Sequence, residues 1–188
     1  YKRQDMADLI DRKTILLLLD WEKAFDKIDA PRMLEALKRL NIPDKVINNI
    51  GALYEKSQFR VVSRDNRSDF QQQETGIRQG CPLSPYLFIL VMTVMFEDIH
   101  NIIRPKMYSA AVGKGAIPGI NFTEILYADD TLLLTQDNQT ASFFVQTIEE
   151  ESKYYNMKLN EDKCETLIMN GKANVKFKSG KVMKSVQQ

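Results

Sequence analysis

The sequence predicts an α+β fold: an antiparallel sheet with helices packed on one face. Three observations predict it. Short apolar runs bounded by charges or turn residues lie at 15–19 and on both sides of Asp129-Asp130, and 59–63 and 70–74 read as two further short strands around a polar turn. Stretches with apolar side chains at helical spacing are interleaved with them. The hydrophobic fraction of 44% over 188 residues is enough for one core.

The elements follow in order. The run 15–19 ends in Asp20, and its brevity between charges suits a strand buried on both faces. Asp29-Ala-Pro31 opens a helix, with proline in the first turn and Leu34, Leu37 and Leu40 as its buried stripe. Asn41-Ile-Pro43-Asp44 breaks it. A second helix carries Val46, Ile47, Ile50, Leu53 and Tyr54. Strands at 59–63 and 70–74 flank a polar turn at 64–68, and Gly76 and Gly80 punctuate a loop. Ser84-Pro85 caps an apolar helix that reaches about His100, and 104–121, with two prolines and three glycines, reads as a loop or irregular hairpin. The segment 124–134 reads as a hairpin with Asp129 and Asp130 at its turn. A third helix over 140–156 buries Phe144, Ile148 and Tyr155, and strands near 164–169 and 174–178 close the domain.

Composition excludes several classes. No run of 18 uncharged apolar residues exists, so no membrane span and no membrane partner are expected. Cys81 and Cys164 are far apart, and no Cys/His cluster suggests zinc. That cysteine usage suits a reducing compartment. His100 is the only histidine, so no histidine-based triad is available. The net charge is +1, yet the stretch from Thr166 to Gln188 holds five lysines and no acid. It reads either as a solvated strand and end or as a contact for a phosphate backbone. Tyr1 and the polar residues after it resemble neither a natural start nor a leader, so the chain is expected to be part of something longer.

The chemistry lies in the carboxylates. Asp20 at a strand end and Asp129 and Asp130 at a neighbouring turn can converge on one spot. Clustered carboxylates repel unless a cation neutralises them, and hard divalent cations prefer oxygen ligands. Two such ions can activate an attacking hydroxyl and stabilise a leaving oxygen, which is phosphoryl-transfer chemistry. Asp129-Asp130 alone would be an ordinary polar turn.

The wider constellation resembles a known family. Tyr127-Ala128-Asp129-Asp130 is similar to the YxDD box of reverse transcriptases, and Asp20-Trp-Glu-Lys-Ala-Phe25-Asp26 to their first metal-binding motif. Gly76-Ile-Arg-Gln-Gly80-Cys-Pro-Leu-Ser-Pro85 resembles the motif between them, and Asn160-Glu-Asp-Lys163-Cys the fourth. The order agrees, with 60 positions from Asp20 to Gly80 and 49 from Gly80 to Asp129. The Arg-Gln-Gly-Cys-Pro-Leu-Ser-Pro wording points to the non-LTR retrotransposon (LINE-like) and group II intron-like enzymes.

The resemblance implies a polymerase palm over 15–188, preceded at 1–14 by the end of a fingers segment. It implies RNA-directed DNA polymerisation with an RNA template, a DNA primer and deoxynucleoside triphosphates. Asp20 and Asp129 would hold two Mg²⁺ ions, with Asp130 assisting and Mn²⁺ a possible substitute. Trp21 would offer a backbone amide to the triphosphate, and Phe25 would be the steric gate against a ribose 2′-hydroxyl. Gln79 and Gly80 would shape the pocket for nucleotide and template. Lys163 would be the general acid for pyrophosphate, Asp26 structural, and the strands around Leu167 and Val175 the start of the primer grip. The rest of the fingers and the thumb would belong to the parent polyprotein, so the 188-residue chain by itself is expected to polymerise poorly. Location would be intracellular, nuclear for a eukaryotic element. Two alternatives stand beside this reading: an RNA-dependent RNA polymerase palm, and a catalytically silent palm or nucleic-acid-binding remnant.

Overall fold

The computed structural model describes residues 13–64, 66–109, 124–127 and 129–186. Most of the expected fingers segment 1–14, most of the expected loop at 104–121, and Ala128 lie outside the described residues.

A five-stranded sheet, ordered β6-β7-β1-β8-β9, organises the chain. Its strands are β1 (Thr14–Leu19), β6 (Glu124–Tyr127), β7 (Asp130–Thr135), β8 (Glu165–Met169) and β9 (Lys184–Val186). All pairings are antiparallel except β8 with β9. Helices α2 (Ala30–Arg39), α4 (Ser84–Ser109) and α5 (Asn138–Tyr154) supply most of the rest of the core, joined by α1 (Ala24–Lys27) and α3 (Asp44–Tyr54). Strands β2 (Gln58–Phe59), β3 (Val62–Ser63), β4 (Asn66–Arg67) and β5 (Gln71–Gln72) form two small ladders apart from the sheet.

The sheet is half covered. Ile15, Leu17 and Leu19 of β1 are buried, as are their partners Thr131, Leu133 and Thr135 on β7. The alternate residues face the other way: Leu18, 45% exposed, pairs with Leu132, which pairs with Ile125. The expectation that 15–19 is buried on both faces therefore fails. A run of five consecutive apolar residues hides the alternation that distinguishes a one-sided strand from a two-sided one.

Other departures have local causes. In α2 the buried positions are Met33, Ala36 and Leu37, while Leu34 and Leu40 are only partly covered. In α3 only Ile50 is buried. α4 continues past His100 and through Pro105 to Ser109, although a proline there gives up the backbone bond to the carbonyl four residues back. Its Ser84 hydroxyl donates back to the Arg78 carbonyl rather than capping the helix. α4 is long and apolar enough to cross a membrane. Here Leu87, Phe88, Val91, Met92 and Met95 are buried in the core, and Asp98 takes the fork of Arg39 at 2.6 Å.

The expected strand at 174–178 is extended but stands outside the main sheet: it pairs antiparallel with 181–183 through a Lys176–Val182 bridge, with Phe177 N donating to Lys181 O at 3.0 Å and Met183 N to Val175 O at 2.9 Å, on the way to β9. Val175 and Phe177 are buried, and the backbone docks on α5 through Gln146, Ser142 and Glu149. The lysine tail is largely engaged within the chain. Lys178 pairs with Glu150, Lys181 with Asp162 at 2.6 Å, and Lys184 donates to the Asp162 carbonyl.

Candidate active site

Asp20 leaves the end of β1 where three segments meet. Its carbonyl accepts from the Asn160 amide at 2.8 Å, and its own amide faces Cys164 Sγ at 3.4 Å. Cys164 is fully buried, and burial pushes its thiol up to about 11, so it is a neutral contact at physiological pH. The Asp20 side chain is half-exposed, but its Oδ2 is shielded from solvent and has no hydrogen-bond partner. Lys163 Nζ stands 3.8 Å from that oxygen, at an ion-pair distance and too far for a hydrogen bond. A shielded carboxylate oxygen without a donor carries a desolvation cost that a cation relieves.

Strand register brings the hairpin acids alongside. Leu19 pairs with Thr131, so the next step along both strands brings Asp20 level with Asp130. Tyr127 pairs with Asp130, which leaves Asp129 on the two-residue turn. Because Leu19 and Thr131 are buried beneath the helices, alternation turns Asp20 and Asp130 towards the open face. Asp129 and Asp130 are both exposed. Among the described residues no three His, Cys, Asp or Glu side chains form a metal cage by themselves. The site is thus a set of oxygen donors at adjoining strand ends, with one oxygen unsatisfied. That donor chemistry suits Mg²⁺ or Mn²⁺, which complete their shells with water and phosphate.

Trp21 fixes this junction. Its buried indole Nε1 donates to Thr131 Oγ1 at 3.2 Å, tying the exit of β1 to the residue next to Asp130. Its backbone bridges Leu159, flanked by bonds from Glu22 N to Lys158 O and from Asn160 N to Asp20 O. In such a pair the central amide points away from the partner segment, so the Trp21 N–H is turned from Leu159 towards the β7 side.

A second group forms around α1. The Phe25 ring stacks on the buried Phe88 with centroids 4.4 Å apart, leaving Phe25 half-exposed. The loop 75–80 docks on the backbone of this turn. Ile77 N donates to Phe25 O at 2.6 Å, Gly76 N to Ile28 O at 2.8 Å and Thr75 Oγ1 to Asp26 O at 3.0 Å. A Cβ on Gly76 would lie 2.8 Å from Asp26 O, so glycine is forced there by contact as well as by its φ of +94°. Gly80 also has positive φ, but a Cβ there would meet nothing within 4 Å. Gln79 is exposed, and its Nε2 donates to Asp26 Oδ1 at 2.8 Å.

Sequence reasoning treated Asp26 as structural and missed Cys164 and Thr131. Thr131 follows the Asp pair, but no motif distinguishes a threonine whose hydroxyl meets an indole across the sheet. Arg78 is not a free cation, since it donates to Leu53 O at 2.8 Å and Ser57 Oγ at 3.1 Å.

The family model described as reverse transcriptase (RNA-dependent DNA polymerase) matches residues 2–182. The chain belongs to the reverse transcriptase family. It is 27% identical over 154 residues to the Pol polyprotein of the type-1 retrotransposable element R2 from Nasonia vitripennis, covering 82% of this chain and 14% of that protein. It is 25% identical over 165 residues to the polyprotein of R2DM from Drosophila melanogaster, covering 88% and 15%. The polymerase of the mobile element jockey from Drosophila funebris is 26% identical over 155 residues, covering 78% and 15%. These are non-LTR elements, the branch to which the sequence wording points. The chain spans only about a seventh of the length of the R2 polyproteins from Nasonia vitripennis and Drosophila melanogaster. In three dimensions the chain is similar to an apo telomerase structure from Candida tropicalis, with TM-score 0.65 and 13% identity over 90% of this chain and 34% of that one. The shared architecture is the polymerase palm.

Proposed function

We propose that this reverse transcriptase chain is the catalytic palm of an RNA-directed DNA polymerase that extends a primer 3′-hydroxyl with deoxynucleoside triphosphates on an RNA template. The observation that carries the reading is Asp20 Oδ2, a shielded carboxylate oxygen without a donor beside the Asp129-Asp130 hairpin. Asp20, Asp129 and Asp130 would hold Mg²⁺ or Mn²⁺, whose chemistry is to lower the pKa of the attacking hydroxyl and neutralise charge on the leaving oxygen. The Trp21 amide binds the triphosphate. Phe25, backed by Phe88, excludes a ribose 2′-hydroxyl by bulk. Asp26 orients the Gln79 carboxamide, and Gly80 leaves space for close approach of nucleotide or template. Lys163, next to the donor set, gives a proton from Nζ to the departing pyrophosphate. The site of action would be intracellular, the nucleus for a eukaryotic element.

The test pairs primer extension with template binding at fixed salt, using Asp129→Asn in the full-length parent protein. Extension should fall by several orders of magnitude while binding stays within about twofold, since the acid serves metal and cations serve phosphate. Extension at a near wild-type rate would refute the assignment. Wild-type protein that binds template but extends nothing would favour a silent palm. A preference for ribonucleotides would favour an RNA polymerase.

A further inference from the structure

Residues 58–72 form an arm that stands off the core, and every described residue of its four strands is exposed. Near its base Phe59 pairs with Gln71, and nearer its tip Val62 pairs with Arg67. Two residues, 60 and 61, therefore oppose three, 68 to 70. That single extra residue is a bulge, which kinks and twists a hairpin. Ser68 holds the kink, donating its amide to Val61 O and accepting the Val61 amide on Oγ, both at 2.9 Å. At the kink the Arg60 guanidinium lies 5.1 Å from the centroid of the Phe70 ring.

The arm presents Phe59, Val62 and Phe70 at 51%, 58% and 61% exposure. Single exposed apolar side chains need no explanation, but a cluster with two aromatics on one slender hairpin does. Three arginines, Arg60, Arg64 and Arg67, are interleaved with them against Asp65 and Asp69. None of the ion pairs among the described residues draws in those arginines. Aromatic faces alternating with guanidinium groups suit stacked bases and phosphates together, without regard to sequence.

The arm's root fixes which strand it meets. Gln73 N donates to Ser57 O at 2.7 Å, and Gln73 Nε2 donates to Thr75 O at 3.1 Å and Gly76 O at 3.3 Å. Arg78 clamps Ser57 from below. The arm is thus a continuation of the loop that carries Gln79 and Gly80. In a templated polymerase the strand that passes a nucleotide pocket before pairing is the single-stranded template.

We propose that the 58–72 arm is a binding surface for the unpaired template strand ahead of the nucleotide pocket, with Phe70 and Phe59 stacking bases and Arg60, Arg64 and Arg67 contacting phosphates. This inference rests on the polymerase reading for the choice of strand.

The experiment measures affinity by fluorescence anisotropy for labelled RNA–DNA primer–templates that differ only in the length of the single-stranded template overhang, with labelled oligouridylate as a separate probe. Wild-type affinity should rise with overhang length and fall steeply with salt. Replacing Arg60, Arg64 and Arg67 together by alanine should remove the overhang dependence and flatten the slope of log K against log salt by about 2, as expected for about three contacts to a single strand. Phe70→Ala should weaken oligouridylate binding by about tenfold, whereas Arg60→Lys should largely preserve it. All these residues are exposed, and circular dichroism checks that the variants fold. Equal affinity of wild type and triple variant at every overhang overturns the proposal. A loss of equal size on blunt hybrids also overturns it, in favour of duplex contact. If the full-length wild-type parent binds in an overhang-dependent way but does not extend, the polymerase reading fails while the surface stands.

Discussion

In the proposed reading, Phe25 serves packing and nucleotide selection at once. Its ring lies against Phe88 on one side and is half open on the other, so the same stack that fixes the ring presents its free side to whatever enters the pocket. Phe25→Val in the full-length parent should raise the kcat/KM for ribonucleotides relative to deoxyribonucleotides by tenfold or more. The comparison belongs in the ratio, because a lost stack alone, worth about 0.5–1.5 kcal/mol, would lower both values together. An unchanged ratio would make Phe25 a packing residue only. Phe25 and the three acids stand out in the sequence because they resemble the family's motifs. The supports do not. Asp26 holds Gln79, Thr131 holds Trp21 and Cys164 lies against the Asp20 backbone across separations of 53, 110 and 144 residues. Each is a single polar contact between residue types common in any position, and no periodicity marks it.

At the level of elements, the same division follows from range. The hairpin at Asp129-Asp130 is local, and two apolar runs around two acids predict it. The crossover at 170–183 is not local, because Val175 and Phe177 are buried by α5 rather than by pairing with β8. Alternating apolar residues there read as a strand of the sheet, whereas the segment pairs only with 181–183 and docks on α5. The 75–80 loop is fixed by contact with α1, and Gly76 is its tightest point. Gly76→Ala would add a methyl 2.8 Å from Asp26 O at a φ of +94°. Unfavourable positive φ costs about 1–3 kcal/mol where relaxation is prevented, and here the obstacle is backbone rather than a flexible side chain. The variant should unfold earlier in urea and, where still folded, show a raised KM for nucleotide with a smaller change in kcat, since Gln79 is displaced while Asp20 and Asp129 are not. Gly80→Ala meets nothing within 4 Å, so its effect should come from strain at positive φ alone and be the smaller of the two on stability. A Gly76→Ala variant as stable as wild type with unaltered KM would mean the loop can leave α1 without consequence.

Across the whole molecule, the sheet has one protected face and one working face, and Cys164 reports on the protected side. It lies at the start of β8 behind Asp20, fully buried, while Cys81 sits partly exposed in the loop before α4. Alkylation requires both access and a thiolate. Cys81 should therefore react with iodoacetamide in the native state within minutes at mildly alkaline pH. Cys164 should react only through openings that separate β1 from β8, and so on the timescale of global or near-global unfolding. Burial raises its thiol from an ordinary value of 9.0 to about 11. A folded-state pKa above the unfolded one means that the neutral thiol stabilises the fold fully below pH 9. That contribution is then lost as pH climbs through about 11, because the unfolded chain releases a proton which the folded chain retains. Urea unfolding followed by pH should accordingly show a decline in stability above pH 9 that Cys164→Ala reduces, the remainder coming from Tyr154, Tyr155 and Lys181, which are also raised in the folded state, with Cys81→Ala as the control that leaves the whole decline in place. Peptide mapping after a pulse of iodoacetamide gives the second readout: labelling of Cys164 should track the unfolded fraction at each urea concentration, while Cys81 is labelled throughout. Rapid labelling of Cys164 in the absence of urea would show that the junction behind Asp20 opens locally. The backbone that carries Asp20 would then be a mobile element rather than one held by Trp21 and Asn160.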